Sequence, residues 1–358
     1  MRTAFLDHIR VYLTALVVFH HTAIAYGGSG GWYWRERENA SSLLLLCFNA
    51  INQSYFMGFF FLISGYFTAA SWEHKPPGSF VRDRVLRLGI PLLVYFFGLS
   101  TLTLALLEGG PADVPGRWLE ALLATRFHPG PLWFAETLLI FTAGFMLWRR
   151  LSPVAATYWR FPGFGVLLLA ALLLGLVSFL VRLVMPVGEE ILWLQLGYFP
   201  VYIFLFYAGC LAWPGRLLER VRRTEALPWM LVAVAGMAVL PWVILHRPGE
   251  GPFEGGQNLN ALFYAFWDPL VGWGIILGML WLLRAWVKSS GGLGAWLSRR
   301  AYLVFILHPP VLVSISRILE PWQAHYLVKF GVTGSLTCLA CVLLASLVLR
   351  IPGAKRVV

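Results

Sequence analysis

The sequence predicts an all-α fold, a polytopic membrane bundle of about ten transmembrane helices with both termini in the cytoplasm. Three observations predict it. The 358 residues are 59% hydrophobic and 13% charged, with a mean hydropathy of +0.71, far from a soluble domain. Apolar runs of about 17–28 residues recur along the chain, and each could cross a hydrocarbon core. Lys and Arg gather in alternate loops, as cytoplasmic loops require.

The elements follow in order. Run 9–26 carries Arg10, His20 and His21. Its apolar core is too long for a cleavable signal peptide, and no small-x-small site follows before Tyr26. Run 43–70 holds Asn49, Asn52 and Gln53 in one half and Ser64-Gly65 in the other. Run 88–107 opens with Leu88-Gly89-Ile90-Pro91, just after Arg82, Arg84 and Arg87. Run 131–148 contains Glu136. Runs 163–184, 191–213 and 226–245 come next, and 261–284 contains Asp268. Run 301–319 places His308 before Pro309 and Pro310, and run 327–349 closes the series. The longest connection, 108–130, is too short for a soluble domain, so 1–358 reads as a single integral membrane domain.

With the N-terminus inside, 20 of the 28 Lys and Arg residues fall in inside segments, Arg2 and Lys288 among them. Ten of the 17 acids, including Glu38, fall outside. The net charge of +11 is therefore a topology signal, and the pI of 9.8 implies no nucleic-acid partner. Cys47, Cys210, Cys338 and Cys341 lie within spans and read as small buried hydrophobes, with no metal site expected. There is no Walker loop, G-x-G-x-x-G, G-x-S-x-G or H-E-x-x-H pattern. The aromatic residues read as core and interfacial belt, Trp32, Tyr33 and Trp34 included.

The polar residues within the spans sort by depth. On a helix, eleven positions bring His21 within roughly 20° of Arg10's face and about 16 Å along the axis. Ionisable groups at such positions default to function. His20, His21, Asn49, Asn52, Gln53, Glu136 and Asp268 share an outer layer that could form a polar cavity. Arg10, Arg82, Arg84, Arg87, Ser64 and His308 lie toward the inner side, where fixed positive charge suits phosphate or carboxylate. Structural readings stand beside these. The arginines could be lipid-surface anchors. His308 could be a helix-packing residue beside a kink. Glu136, Asp268 and the amides could hold helices together.

Five blocks resemble the acyltransferase-3 family of multispan membrane acyltransferases. They are Phe5-Leu6-Asp7-His8-Ile9-Arg10 with His21; Phe59 through Phe67 around Ser64-Gly65; Arg82 through Pro91; Leu132-Trp133-Phe134; and Ala301 through Pro309. The first three look especially like the proteins that succinylate periplasmic glucans. The resemblance implies an inner-membrane enzyme with no permanently bound cofactor. Its donor would be cytoplasmic acyl-coenzyme A, carrying an acetyl or succinyl group. Its acceptor would be an extracytoplasmic carbohydrate or an exported small molecule. By that resemblance His21 is the catalytic histidine and Arg10 its partner, while Arg82, Arg84 and Arg87 are donor-side charges. His308 matches a late-helix histidine and, with Ser64, is placed on the donor side.

The depth argument adds Glu136 or Asp268 to orient the His21 ring, by the logic of a base held by a third group. It also adds Asn49, Asn52, Gln53 and Asp268 as acceptor contacts. The alternative is a sugar or lipid transporter, against which stands the lack of an inverted repeat or paired broken helices.

Overall fold

The computed structural model describes residues 4–36, 41–152, 160–246, 250–287 and 291–357. Arg2, Glu38 and Lys288 lie outside the described residues. Among those described, the chain is helical with no strand. The helices are α1 (Ala4–Ala25), α2 (Leu43–His74), α3 (Pro77–Ala105) and α4 (Val114–Leu123). They continue as α5 (Trp133–Leu151), α6 (Phe164–Val184), α7 (Phe199–Ala212), α8 (Arg223–His246) and α9 (Leu259–Trp286). The last are α10 (Gly292–Ser298), α11 (Ala301–Leu319), α12 (Tyr326–Val348) and α13 (Ala354–Val357).

Every expected run contains a helix. Among the described residues, 8 helices are long and apolar enough to cross a bilayer: α2, α3, α5, α6, α8, α9, α11 and α12. The chain is thus a multi-pass membrane protein. α1 is set apart by its polar content, with Asp7, His8, Arg10, His20 and His21 in one helix. α7 is only 14 residues long. The run expected over 191–213 is shorter because Leu192 and Trp193 adopt positive φ (51° and 62°) and turn the chain. Its helix begins at Phe199, with Pro200 in the first turn, where a missing N–H breaks no bond.

The third run begins earlier than 88–107. Its helix is continuous from Pro77, so Arg82, Arg84 and Arg87 ride on α3 itself. Two turns of α3 widen to π-helix, at Val85–Gly89 and Tyr95–Leu99. In the first, the Ile90 N–H bonds to the Val85 carbonyl. Pro91 has no N–H to offer the Arg87 carbonyl, so the ladder slips by one residue there. In the second, the Ser100 N–H reaches the Tyr95 carbonyl. The Ser100 and Thr103 hydroxyls donate to the Phe96 and Leu99 carbonyls at 2.7 Å each and compete with the ladder.

The chain divides into two compact units. One comprises Met1–Ile9, Ala50–Pro77 and Ile140–Gly291; the other comprises Arg10–Asn49, Gly78–Leu139 and Gly292–Val358. Lipid is as apolar as leucine, so helices in a bilayer associate through close packing of small residues. In the first unit α2 crosses α7 in this way. A Cβ on Gly65 would stand 1.9 Å from the Phe206 carbonyl oxygen, and one on Gly209 would stand 2.1 Å from that of Leu62. In the second unit α11 packs on α12 and on the second π turn of α3. The Tyr26 hydroxyl, just beyond α1, lies 2.9 Å from that of Thr333 on α12.

Candidate active site

The end of α1 is folded back on itself. The Gly28 and Tyr26 N–H groups both bond to the Ala23 carbonyl, at 2.7 and 3.1 Å. Gly27 takes a φ of 119°, which glycine adopts without strain. The returning chain is tied down by Glu36 N–H to the Ala25 carbonyl at 3.0 Å, and by a buried ion pair between Glu36 and Lys329 of α12. This return lays the Trp32 indole parallel to the His21 imidazole, with ring centroids 4.1 Å apart. Trp32 was expected in an interfacial belt; it is instead a wall of the histidine site.

The other neighbour of His21 comes from α11. His21 Nδ1 lies 2.9 Å from His308 Nε2, and the two rings are within 8° of parallel. The depth argument had set His308 on the inner side; the structure pairs it with His21. Its other nitrogen, Nδ1, lies 2.7 Å from the Phe305 carbonyl. The sequence explains that bond. Helical geometry would have residue 309 donate its N–H to Phe305, but Pro309 has none. His308 Nδ1 supplies the missing donor.

The proton positions follow. A carbonyl only accepts, so His308 Nδ1 carries a proton. With one proton per ring, His308 Nε2 accepts from His21 Nδ1, and His21 Nε2 keeps its lone pair. His21 is half-buried and His308 fully buried. His308 is therefore the hydrogen-bond partner of the His21 ring.

The surroundings are aromatic. Phe134, at the start of α5, packs on Phe305 with centroids 6.0 Å apart. The Tyr33 and Tyr95 hydroxyls are 3.2 Å apart. A Cβ on Gly130 would stand 2.6 Å from the Tyr95 hydroxyl and 2.8 Å from that of Tyr33. Burial pushes the Tyr33 phenol above its ordinary value, so it remains a donor at neutral pH. Glu136 is half-buried in the first turn of α5 and forms no ion pair among the described residues. His20 is buried, and its carbonyl accepts from Asn49 Nδ2 at 3.1 Å. Asn49 thus ties α2 to α1 at the residue before His21.

The cations expected on the donor side stand on α3. Arg82 and Arg87 are exposed, while Arg84 is half-buried with its guanidinium 5.2 Å from the Phe80 ring. The short α13 packs against the first π turn, which adds Lys355 and Arg356 to this basic surface. Their charge was visible in the sequence; their position was not. Arg10 is half-buried on α1.

The remaining candidates lie in the other unit. Gln53 Nε2 donates to the Tyr202 hydroxyl at 3.0 Å. Asp268 is buried and pairs with Arg182 at 2.9 Å, a partner not singled out in the sequence. Asn52 is buried, and its Nδ2 has no hydrogen-bond partner among the described residues. Ser64 is half-buried beside the Gly65 crossing, so packing accounts for the glycine of that motif.

Comparison with known proteins gives this geometry a context. Residues 3–346 match the acyltransferase-3 family, described as an acyltransferase domain. The chain belongs to this family. Glucans biosynthesis protein C of Escherichia coli strain K12 is 39% identical over 92 residues, which are 26% of this chain and 23% of that protein. Its counterpart in Shigella dysenteriae serotype 1 strain Sd197 is 36% identical over the same length. That in Escherichia coli strain SMS-3-5 / SECEC is 38% identical. The matched stretch spans about a quarter of these relatives' length. No solved structure matches. As an acyltransferase-3 member, the chain carries its histidine pair on the first and the penultimate long helices of the domain.

Proposed function

We propose that the protein is an inner-membrane O-acyltransferase with both termini in the cytoplasm. It moves an acetyl or succinyl group from cytoplasmic acyl-coenzyme A to a hydroxyl of an extracytoplasmic glucan or related carbohydrate. No permanently bound cofactor takes part. The observation that carries the reading is the ordered pair of histidines, which leaves His21 Nε2 as a proton acceptor beside an aromatic wall.

His21 Nε2 takes the proton of the acceptor hydroxyl as its oxygen attacks the thioester carbonyl. The oxygen–carbon bond forms, the carbon–sulfur bond breaks, and the proton passes to the departing thiolate, giving coenzyme A and an ester. His308 is a positioning residue. It holds the reactive tautomer and shares the positive charge that develops on His21. Trp32 keeps the ring in place and water away, which protects the thioester from hydrolysis. Arg82, Arg84 and Arg87, with Lys355 and Arg356, hold the phosphates of the donor, and Arg10 lines its path along α1. Glu136 is proposed to contact the acceptor hydroxyl; a wild-type rate for Glu136→Gln would remove it from the site. The glucan in the relatives' name supports a carbohydrate acceptor.

The test is His21→Ala in isolated membranes, with labelled acetyl- or succinyl-coenzyme A and extracted glucan. Transfer should fall by about 10²–10⁴-fold at unchanged protein level, the range for loss of a general base. Full transfer would overturn the assignment.

A further inference from the structure

The connection from α6 to α7 contains a turn made of unusual residues. Ile191 and Leu194 pair across it, each N–H bonded to the other's carbonyl, at 3.1 and 3.0 Å. The two central residues, Leu192 and Trp193, both take positive φ (51° and 62°). Such two-residue hairpins favour Asn-Gly or Gly-Gly, which adopt positive φ readily. Bulky side chains there are strained. Leu192 is nevertheless 71% exposed, Ile191 50% and Trp193 37%. Packing within the protein does not account for an apolar side chain as open as Leu192. The turn holds strained backbone and presents consecutive apolar groups outward.

The level of the turn says what meets those groups. α6 has 21 residues, about 31 Å of helix, and a hydrocarbon core is about 30 Å thick. Its end therefore lies at the membrane boundary. Val184, its last residue, is 77% exposed and faces lipid. Both legs of the hairpin are held at this level. A Cβ on Gly197 would stand 3.0 Å from the Met185 carbonyl oxygen, and the Gly197 carbonyl accepts from Arg182 Nε at 3.0 Å. The Val187 N–H bonds to the Glu254 carbonyl at 2.9 Å. α7 agrees: with its leading 3-10 turn, Leu196–Tyr198, it is about 27 Å long. Trp213 and Arg216 mark its far end, so Leu196 also stands near the boundary. Water is scarce at this depth, and the reciprocal Ile191–Leu194 bonds satisfy the backbone of the turn. Glu190 accepts from Gln195 Nε2 at 3.1 Å, which gathers polar groups on the legs and leaves the tip apolar. An indole is favoured at that interface.

We propose that the Ile191–Leu194 turn is a membrane anchor, with Leu192 and Trp193 seated among the headgroups and upper acyl chains of the lipids around the end of α6. The proposal rests on the membrane-spanning helices and is independent of the acyltransferase reading.

The experiment replaces the native cysteines, attaches a nitroxide to Leu192→Cys and places the full chain in phospholipid nanodiscs. Relaxation of the label by oxygen, which concentrates in lipid, is compared with relaxation by a water-soluble nickel chelate. Val184→Cys is the lipid reference, and Glu250→Cys, in an exposed loop, is the water reference. The oxygen-to-nickel ratio at position 192 should be several-fold above that of Glu250→Cys and close to that of Val184→Cys. A ratio equal to the water reference would overturn the anchor. Weak relaxation by both agents would overturn it too, since a protein surface would then cover the turn. If the cysteine-free chain does not fold, p-benzoylphenylalanine in place of Leu192 in the otherwise native chain gives a second readout. Irradiation should yield a protein–phospholipid adduct by mass spectrometry, and no lipid adduct would count against the proposal. Leu192→Asn, which suits positive φ, should hold or raise the unfolding temperature in detergent. A lower temperature would make Leu192 a packing residue of the fold, and the anchor would fall.

Discussion

At the scale of single residues, Pro309 matters as much as the histidine it follows. It removes the N–H that would occupy the Phe305 carbonyl, and His308 Nδ1 takes that carbonyl at 2.7 Å. Pro309→Ala restores the backbone donor and releases the His308 ring from its single tautomer. The expected result is a fall in kcat of about 10–10²-fold with the acyl-coenzyme A KM unchanged. His308→Ala should lower kcat by at least as much. His308→Gln should retain more, because an amide oxygen can still accept from His21 Nδ1. Initial rates with each substrate varied separately check all three. Equal activity of His308→Ala and wild type would leave His21 without an orienting partner. Both histidines were legible as unusual polar residues in apolar runs. Their pairing was not, because depth counted from the ends of a run ignores where helices cross. Contact between positions 287 residues apart is tertiary information.

At the scale of elements, the Phe59–Phe67 motif and the α3 cations separate packing from binding. Gly65 has no room for a side chain, with a Cβ position 1.9 Å from the Phe206 carbonyl. Gly65→Ala should therefore push α2 and α7 apart and cost about 1–3 kcal/mol, read as a lower unfolding temperature in detergent. Ser64→Ala should leave stability unchanged, and a raised donor KM in it would restore Ser64 to the donor site. The α3 cations predict the opposite pattern. Arg87→Ala and the double variant Lys355→Ala with Arg356→Ala should raise the acyl-coenzyme A KM by several-fold while the unfolding temperature holds. A reduced protein level with unchanged KM would mark them as lipid anchors. The sequence displayed the charge of this surface. It hid the π turns and the docking of α13, which depend on Pro91 and on packing across the chain.

At the scale of the whole molecule, hydropathy alone located a helix for every expected run, since a bilayer demands helices wherever apolar stretches must cross it. The boundaries were less legible. α3 starts at Pro77, well before Leu88, because charged residues near a membrane surface continue a helix as readily as they end one. Of the polar layer expected around His21, two members have partners within their own unit, since buried polar groups seek local partners: Asp268 has Arg182, and Gln53 has Tyr202. The proposed orientation rests on the distribution of Lys and Arg, which would put residues 108–130 outside and 149–160 inside. In the proposed reaction it sets the side from which each substrate would arrive. Replacing the four native cysteines and introducing Glu120→Cys or Ser152→Cys tests it in intact cells with a membrane-impermeant maleimide. Glu120→Cys should label from outside, and Ser152→Cys only after lysis. The reverse pattern would put the α3 arginines on the outer face, away from cytoplasmic acyl-coenzyme A. The donor assignment would then fall even with the histidine pair intact.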